Sequence, residues 1–134
     1  MDRLTLCGRS ILVIEHDRNV AFELANQLRR RGAKVFAAAN LRDAQHMAEH
    51  PALAAVVTGL RIGRADTSAL CRRLSYLGIP FMFHTSFDPA GARQIWPDAP
   101  ILNKPAKGEA VLRALVTMLD QDPRSAPTDS GQPK

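Results

Sequence analysis

Short apolar runs alternate along the chain with segments in which apolar residues recur every three or four positions. Five runs have the length of a strand, and two of them, residues 10–15 and 54–59, are apolar at consecutive positions, which is typical of strands buried on both faces of a parallel sheet. The intervening segments show helical spacing, so the pattern predicts an α/β fold. The five predicted strands cover residues 10–15, 34–38, 54–59, 80–85 and 100–103.

Four of the intervening segments carry the apolar stripe and the end signals of helices. The first ends at Gly32, and either Asp17 or Asn19 can cap its start, because both side chains accept hydrogen bonds from free backbone amides. Residues 86–99 contain three helix-breaking Pro and Gly residues, so any helix there is short. The four predicted helices cover about residues 19–31, 41–50, 67–77 and 107–119.

Strands that alternate with helices predict a doubly wound parallel sheet with helices on both faces, a three-layer α/β/α domain. The flavodoxin-like strand order 2-1-3-4-5 fits best. The chain of 134 residues suffices for one core. We assign residues 1–9 to a loose lead-in and residues 10–120 to the domain. Residues 121–134, rich in Pro, Ser, Asp and Gln, predict a disordered tail.

Composition adds few constraints. Hydrophobic residues make up 46% and charged residues 23%, as in ordinary globular domains. No apolar run has the length of a membrane span, and the apolar part of the N-terminus is too short for a signal peptide, so we expect a cytoplasmic protein without membrane contacts. Cys7 and Cys71 show no motif spacing, which indicates reduced packing thiols. A net charge of +5 allows an acidic partner or nucleic acid but specifies neither.

Ligands of such sheets bind beyond the carboxyl ends of the strands. In this chain polar or small residues stand at four of these ends, so we expect them to converge at one rim of the sheet. They are Glu15, His16, Gly59, Thr85 and Lys104.

Three motifs at these ends resemble those of bacterial two-component response-regulator receiver domains (CheY-like). They are Ile-Leu-Val-Ile-Glu15, Phe-Met-Phe-His-Thr85 and Ile-Leu-Asn-Lys104-Pro105, and the resemblance covers about residues 11–119. It implies phosphorelay signal transduction, in which a histidine kinase supplies a phosphoryl group to an aspartate at the end of strand three. It also implies that two acidic residues after strand one hold Mg²⁺, a lysine pairs with the phosphoryl group and a threonine hydroxyl bonds to it.

The sequence departs from this pattern at the residues that carry the chemistry. Gly59 occupies the phosphoacceptor position and has no carboxylate. His16 stands where the second metal-binding acid belongs, and imidazole is a poor ligand for Mg²⁺. Asp17 is adjacent but should point elsewhere, and Ile101 replaces the aromatic residue of many receivers. We therefore expect a vestigial acidic pocket of Glu15, His16 and Asp17, with no metal site and weak or absent Mg²⁺ binding.

Two of the retained residues have alternative roles. Lys104, followed by Pro105, can pair with an anion at the rim or with Glu15, and the ion pair is favoured. Thr85 can act as a switch hydroxyl that reports ligand occupancy, or it can simply bond at the end of its strand.

These features predict a stand-alone, atypical pseudo-receiver that acts by phosphorylation-independent protein–protein interaction and is not an enzyme. Its expected partner is a histidine kinase, a phosphotransferase or another regulator, with homodimerisation left open. One alternative is a phosphorylated receiver with a non-standard acceptor such as Asp66, which helix capping explains better. The other is a basic nucleic-acid-binding module that uses Arg29–Arg31, Arg72 and Arg73, although no aromatic residue interleaves with them.

Overall fold

The computed structural model of the protein describes residues 4–125. Five strands form a parallel sheet in the order β2-β1-β3-β6-β7, and β4 and β5 form a separate antiparallel hairpin. Without the hairpin this is the order 2-1-3-4-5, so the flavodoxin-like prediction is confirmed. In chain order the strands are β1 (Ser10–Ile14), β2 (Lys34–Ala38), β3 (Leu53–Thr58), β4 (Arg61–Ile62), β5 (Ala65–Asp66), β6 (Phe81–Thr85) and β7 (Ile101–Asn103).

Five α-helices cover the two faces of the sheet. Leu24, Leu28 and Leu115 are among the buried residues that bring α1 and α5 onto one face. On the other face, buried side chains of α2 and α3 pack with Phe81 and Phe83, and α4 adds Ala92. The helices are α1 (Arg18–Arg30), α2 (Leu41–Met47), α3 (Ser68–Tyr76), α4 (Ala90–Ile95) and α5 (Gly108–Gln121).

The described part of the N-terminal lead-in is packed onto the domain. Leu6 is 1% exposed and belongs to the core between the sheet and α1 and α5. Its backbone N–H donates to the carbonyl of Arg31 at 2.7 Å, and the N–H of Gly8 donates to the carbonyl of Gly32 at 3.2 Å. The expectation of a loose lead-in is therefore wrong for residues 4–9, because a leucine in this segment completes the core.

The folded domain also extends beyond residue 120, where the sequence analysis ends it. After α5, a 3₁₀ turn covers Pro123–Ser125. The guanidinium of Arg124 donates to the carbonyls of Leu53 and Ala54, at 3.4 and 2.7 Å, and it is paired with the carboxylate of Asp122 at 2.9 Å. Residues 121–125 are thus part of the domain, and the rest of the predicted tail lies outside the described residues.

The two cysteines lie in different environments. Cys71 is buried in α3, and burial raises the pKa of its thiol to about 12, so it is an inert packing residue. Cys7 is exposed, so the prediction of a packing thiol is wrong there. No helix within residues 4–125 combines the length and apolar character that crossing a membrane requires.

Candidate functional site

The carboxyl ends of four parallel strands bring the predicted rim residues together. Ile14 at the end of β1 pairs with Thr58 at the end of β3, so Glu15 and Gly59 follow neighbouring strands. At the other side of the rim, the backbone N–H of Lys104 donates to the carbonyl of Thr85 at 2.7 Å. These contacts place Glu15, Gly59, Thr85 and Lys104, four of the five predicted residues, along one rim of the sheet.

Glu15 and Lys104 form an ion pair across this rim. The ammonium Nζ of Lys104 donates to Oε1 of Glu15 at 2.5 Å, and the backbone N–H of Asp17 donates to Oε2 at 3.0 Å. Glu15 is buried, and the side chain of Lys104 is 25% exposed. Both carboxylate oxygens are engaged, so of the two roles considered for Lys104 the structure shows the ion pair. The Lys104–Pro105 peptide bond is cis.

The other two members of the predicted acidic pocket have separate positions. Asp17 caps α1, because its Oδ1 accepts hydrogen bonds from the N–H groups of Asn19 and Val20 at 2.9 and 3.3 Å. His16 is exposed and lies beside Gly63 of the hairpin turn. In the described part of the chain, no three His, Cys, Asp or Glu side chains are grouped to hold a metal ion. These residues do not fit the oxygen-rich site that Mg²⁺ requires.

The position that follows β3 has no room for a side chain. A Cβ atom built on Gly59 would lie 2.8 Å from the carbonyl oxygen of Arg61, closer than real Cβ contacts allow, although the φ angle of Gly59 is not in the left-handed region. Arg61 belongs to the β4–β5 hairpin, whose backbone therefore occupies the place that an acceptor side chain would need. The site lacks both the carboxylate and the space for it.

Thr67, which the sequence analysis did not single out, holds this loop in place. Its side chain is buried, and its hydroxyl lies 3.0 Å from the carbonyl oxygens of both Gly59 and Leu60, so that its proton can be shared between them. The backbone N–H of Thr67 also donates to the carbonyl of Leu60 at 3.2 Å. In the sequence, Thr67 shows only as a hydroxyl residue next to Asp66. The predicted start of a helix there already explains such a residue.

Thr85, the predicted switch residue, forms a hydrogen bond with a residue that closely follows it in the chain. The hydroxyl of Thr85 accepts a hydrogen bond from the backbone N–H of Phe87 at 3.0 Å, and Thr85 is buried. Phe87 is 51% exposed, and the guanidinium of Arg61 lies 5.9 Å from its ring centroid. Ile101 is half-buried and packs against the core. Thr85 thus bonds at its strand end, the simpler of its two predicted roles.

Asp66 has the contacts of a helix-start residue. Its Oδ1 accepts a hydrogen bond from the backbone N–H of Ser68 at 2.7 Å. Hydrogen bonds from the side chain and the backbone of Ser68 favour the ionised carboxylate and hold the pKa of Asp66 below its ordinary value, with a smaller contribution from Arg61 and Arg72. These contacts support the capping explanation over a role as acceptor.

Two members of the predicted basic surface are engaged by neighbouring groups. Arg73 forms two 2.8 Å hydrogen bonds to the carboxylate of Glu49 on the protein surface. Arg29 donates to the carbonyl of Val35 at 3.3 Å. Nothing in these contacts favours a nucleic-acid interface.

Comparison with known proteins gives structural similarity alone. No protein-family model matches the chain, and no curated protein sequence matches it. A response-regulator receiver protein from Sinorhizobium medicae WSM419 is 22% identical with a TM-score of 0.76, over 85% of this chain and 96% of that one. The non-phosphorylated HemR receiver domain from Leptospira biflexa is 20% identical with a TM-score of 0.73, over 94% and 98%.

A CheY-like receiver domain protein from Methanospirillum hungatei JF-1 is 15% identical with a TM-score of 0.78, over 88% of this chain and 98% of that one. The chain thus has the fold of response-regulator receiver domains and spans nearly the whole length of these three structures.

We expect Mg²⁺ to bind weakly or not at all. The oxygens of Glu15 are already bonded to Lys104 and to the backbone of Asp17, and Gly59 supplies no carboxylate. In ¹H–¹⁵N spectra the amides of residues 14–17 should show no saturable shift with low-millimolar MgCl₂. NaCl at equal ionic strength is the control for screening. A shift that saturates with MgCl₂ alone would contradict this expectation.

Replacing Lys104 by Met should lower the free energy of unfolding by about 1–3 kcal/mol, because it leaves the buried Glu15 carboxylate with only the Asp17 amide. Lys107→Met is a matched control, since Lys107 is exposed and its side chain makes no capping bond. Urea unfolding measures both variants. No loss relative to the control would show that the pair contributes nothing, and a loss above about 3 kcal/mol would indicate a fully buried structural pair.

Proposed function

We propose that this protein is a pseudo-receiver that acts in two-component or phosphorelay signalling by protein–protein interaction, without accepting a phosphoryl group. The observation that carries the proposal is the position after β3. Gly59 offers no carboxylate there, and the carbonyl of Arg61 occupies the space in which a side chain would begin.

The remaining polar groups of the rim support this proposal. In the receiver domains that the chain resembles, the lysine pairs with the phosphoryl group and the threonine hydroxyl bonds to it. Here the charge of Lys104 is compensated by Glu15, and the hydroxyl of Thr85 accepts a bond from Phe87. The rim is therefore held in one arrangement by internal bonds. We assign no catalytic step to it and do not regard the protein as an enzyme.

Residues 86–99 provide a surface for a protein partner. Helix α4 is only six residues long, and two large apolar side chains of this segment are exposed, Phe87 before the helix at 51% and Ile95 at its last position at 63%. In the receiver domains that the chain resembles, this region belongs to the usual interaction surface, together with the last strand and the last helix. A histidine kinase, a phosphotransferase or another regulator is the proposed partner, and its binding would bury these side chains.

Incubation with acetyl phosphate and Mg²⁺, followed by mass spectrometry of the intact protein, tests the absence of phosphorylation. The mass should not change. A labile adduct on any aspartate would overturn the pseudo-receiver proposal, and an adduct on Asp66 would support the alternative acceptor. If an adduct forms, its loss in Asp66→Asn would show that Asp66 is the acceptor, and its persistence would show that another aspartate is.

Capture of partner kinases and phosphotransferases from the source cells tests the interaction surface. Phe87→Ala combined with Ile95→Ala should weaken capture. Phe22→Ala is the control, because this aromatic side chain is 66% exposed on α1, on the other face of the sheet. Capture that survives the double substitution, or that is lost only with Phe22→Ala, would place the interface elsewhere.

A further inference from the structure

A pocket of about 440 Å³ opens between α1 and the turn that leads from β7 into α5. Its walls include the apolar side chains of Leu24, Pro105 and Val111, and its polar lining includes His84 and Lys104. The proposed function does not use this pocket, and the inference drawn from it stands independently of the pseudo-receiver proposal.

His84 lines this pocket and carries an unsatisfied polar atom. It lies on β6 two residues after Met82, so both side chains are on the face of the sheet that packs against α1 and α5, and it is 7% exposed. Its Nε2 is buried and has no hydrogen-bond partner among residues 4–125. Burial lowers the pKa of His84, and the charge of Lys104 lowers it further against an opposing effect of Glu15, so the imidazole is neutral at neutral pH. A neutral imidazole can present an N–H at Nε2.

The start of α5 adds hydrogen-bond donors to the same pocket. Gly108 is the first residue of this 14-residue helix and lines the pocket, and the N-cap residue Lys107 makes no side-chain bond to the first turn. The first amides of a helix and its dipole both favour a negatively charged ligand. The side chain of Gln27 lies against Gly108, where a Cβ would otherwise be.

Charged groups around the pocket limit the number of negative charges that a ligand can carry. Lys104 is compensated by Glu15. Two other carboxylates are exposed, so that solvent screens their charges: Glu23 on α1, at the mouth of the pocket, and Glu109 in the first turn of α5, which pairs with Arg113 at 3.3 Å. A ligand with several negative charges would meet Glu23, whereas a single negative group can reach the helix start and His84. We propose that the pocket binds a small organic acid, with its carboxylate at His84 and the first turn of α5 and its apolar body against Leu24, Pro105 and Val111.

Hexanoate and 1-hexanol are suitable probes because they share an apolar body and differ in charge. We expect hexanoate at millimolar concentrations to shift the amides of Gly108 and Val111 saturably, and to bind at least about tenfold more tightly than 1-hexanol, the ratio for a charge-assisted hydrogen bond. No saturable shift, or equal affinities of the two probes, would overturn the proposal.

Two substitutions test the placement of the acid. His84→Phe keeps the buried volume but removes Nε2, and it should weaken hexanoate binding by roughly tenfold. The exposed His46→Phe on α2 is the control and should bind as the unmodified protein does. Ala106→Phe narrows the pocket without touching β6 and should abolish binding even if His84→Phe fails to fold. Binding that persists in Ala106→Phe would overturn the proposal.

Discussion

Replacing Gly59 by aspartate is expected to destabilise the protein without creating a working phosphoacceptor. The new Cβ would lie 2.8 Å from the carbonyl oxygen of Arg61, so the β4–β5 hairpin must move before the carboxylate can be placed. Thr67 opposes this movement through its bonds to Gly59 and Leu60. We expect the free energy of unfolding to fall by about 1–3 kcal/mol, as in other overpacked sites.

Two control variants separate the steric cause from the charge. Gly59→Ala adds the same Cβ without a carboxylate and should show most of the loss. Gly91→Asp adds the same side chain at a position where nothing lies within 4 Å of the new Cβ, and its effect should stay within about 0.5 kcal/mol. Urea unfolding measures all three variants. A Gly59→Asp variant as stable as the unmodified protein would show that the hairpin gives way easily.

Phosphorylation should depend on a second position and on the loop. Gly59→Asp alone should remain unmodified by acetyl phosphate, because His16 still denies Mg²⁺ its second carboxylate. Adding His16→Asp should restore Mg²⁺ binding, and Thr67→Val should release the loop and raise the yield of a labile adduct at position 59. Mass spectrometry measures the yield. If the triple variant folds but stays unmodified, the assignment of these residues to one pocket is wrong.

Replacing Gly32 by alanine should strongly destabilise the protein, because this residue lies against Cys7 of the lead-in. Gly32 has a φ of 94°, in the left-handed region that costs other residues about 1–2 kcal/mol. Its new Cβ would also lie 2.8 Å from Cα of Cys7, where backbone must shift rather than a flexible side chain. The shift would disturb the bonds that hold Leu6 in the core, so we expect a total loss of about 3 kcal/mol or more.

Gly78→Ala is the matched control for this variant. Gly78 also ends a helical segment with a left-handed φ, 74°, but nothing lies within 4 Å of the position that its new Cβ would take. It should lose only about 1–2 kcal/mol. Equal losses in the two variants, measured by thermal or urea unfolding, would contradict the role assigned to the contact between Gly32 and Cys7.

The sequence predicts the sheet better than the loops. The central strands β1, β3 and β6 are buried at almost every position, and their apolar runs place them within one residue of their bounds. The edge strands β2 and β7 are less buried, yet short runs between helical segments still place β2 at Lys34–Ala38 and β7 within one residue. The β4–β5 hairpin was missed because two-residue strands have no periodicity. Only Gly63, with a φ of 64°, marks its turn.

The site, like the fold, has features that local sequence patterns predict and others that depend on tertiary contacts. Strand ends place Glu15, Thr85 and Lys104 at one rim without any knowledge of the tertiary structure. The contact between the Gly59 position and the Arg61 carbonyl depends on how the hairpin folds back, which no local pattern encodes. The orientation of His84 toward α1 and α5 follows from strand alternation, but its missing partner does not.

The contact of Arg124 with the first residues of β3 determines where a tether can be attached. Those residues begin the strand that ends beside the rim, and six residues of strand span roughly 20 Å. A biotin or a fluorescent protein joined after residue 125 therefore starts at the opposite end of the sheet from Glu15 and Lys104. Immobilisation through this end leaves both the rim and the pocket at His84 open to molecules in solution.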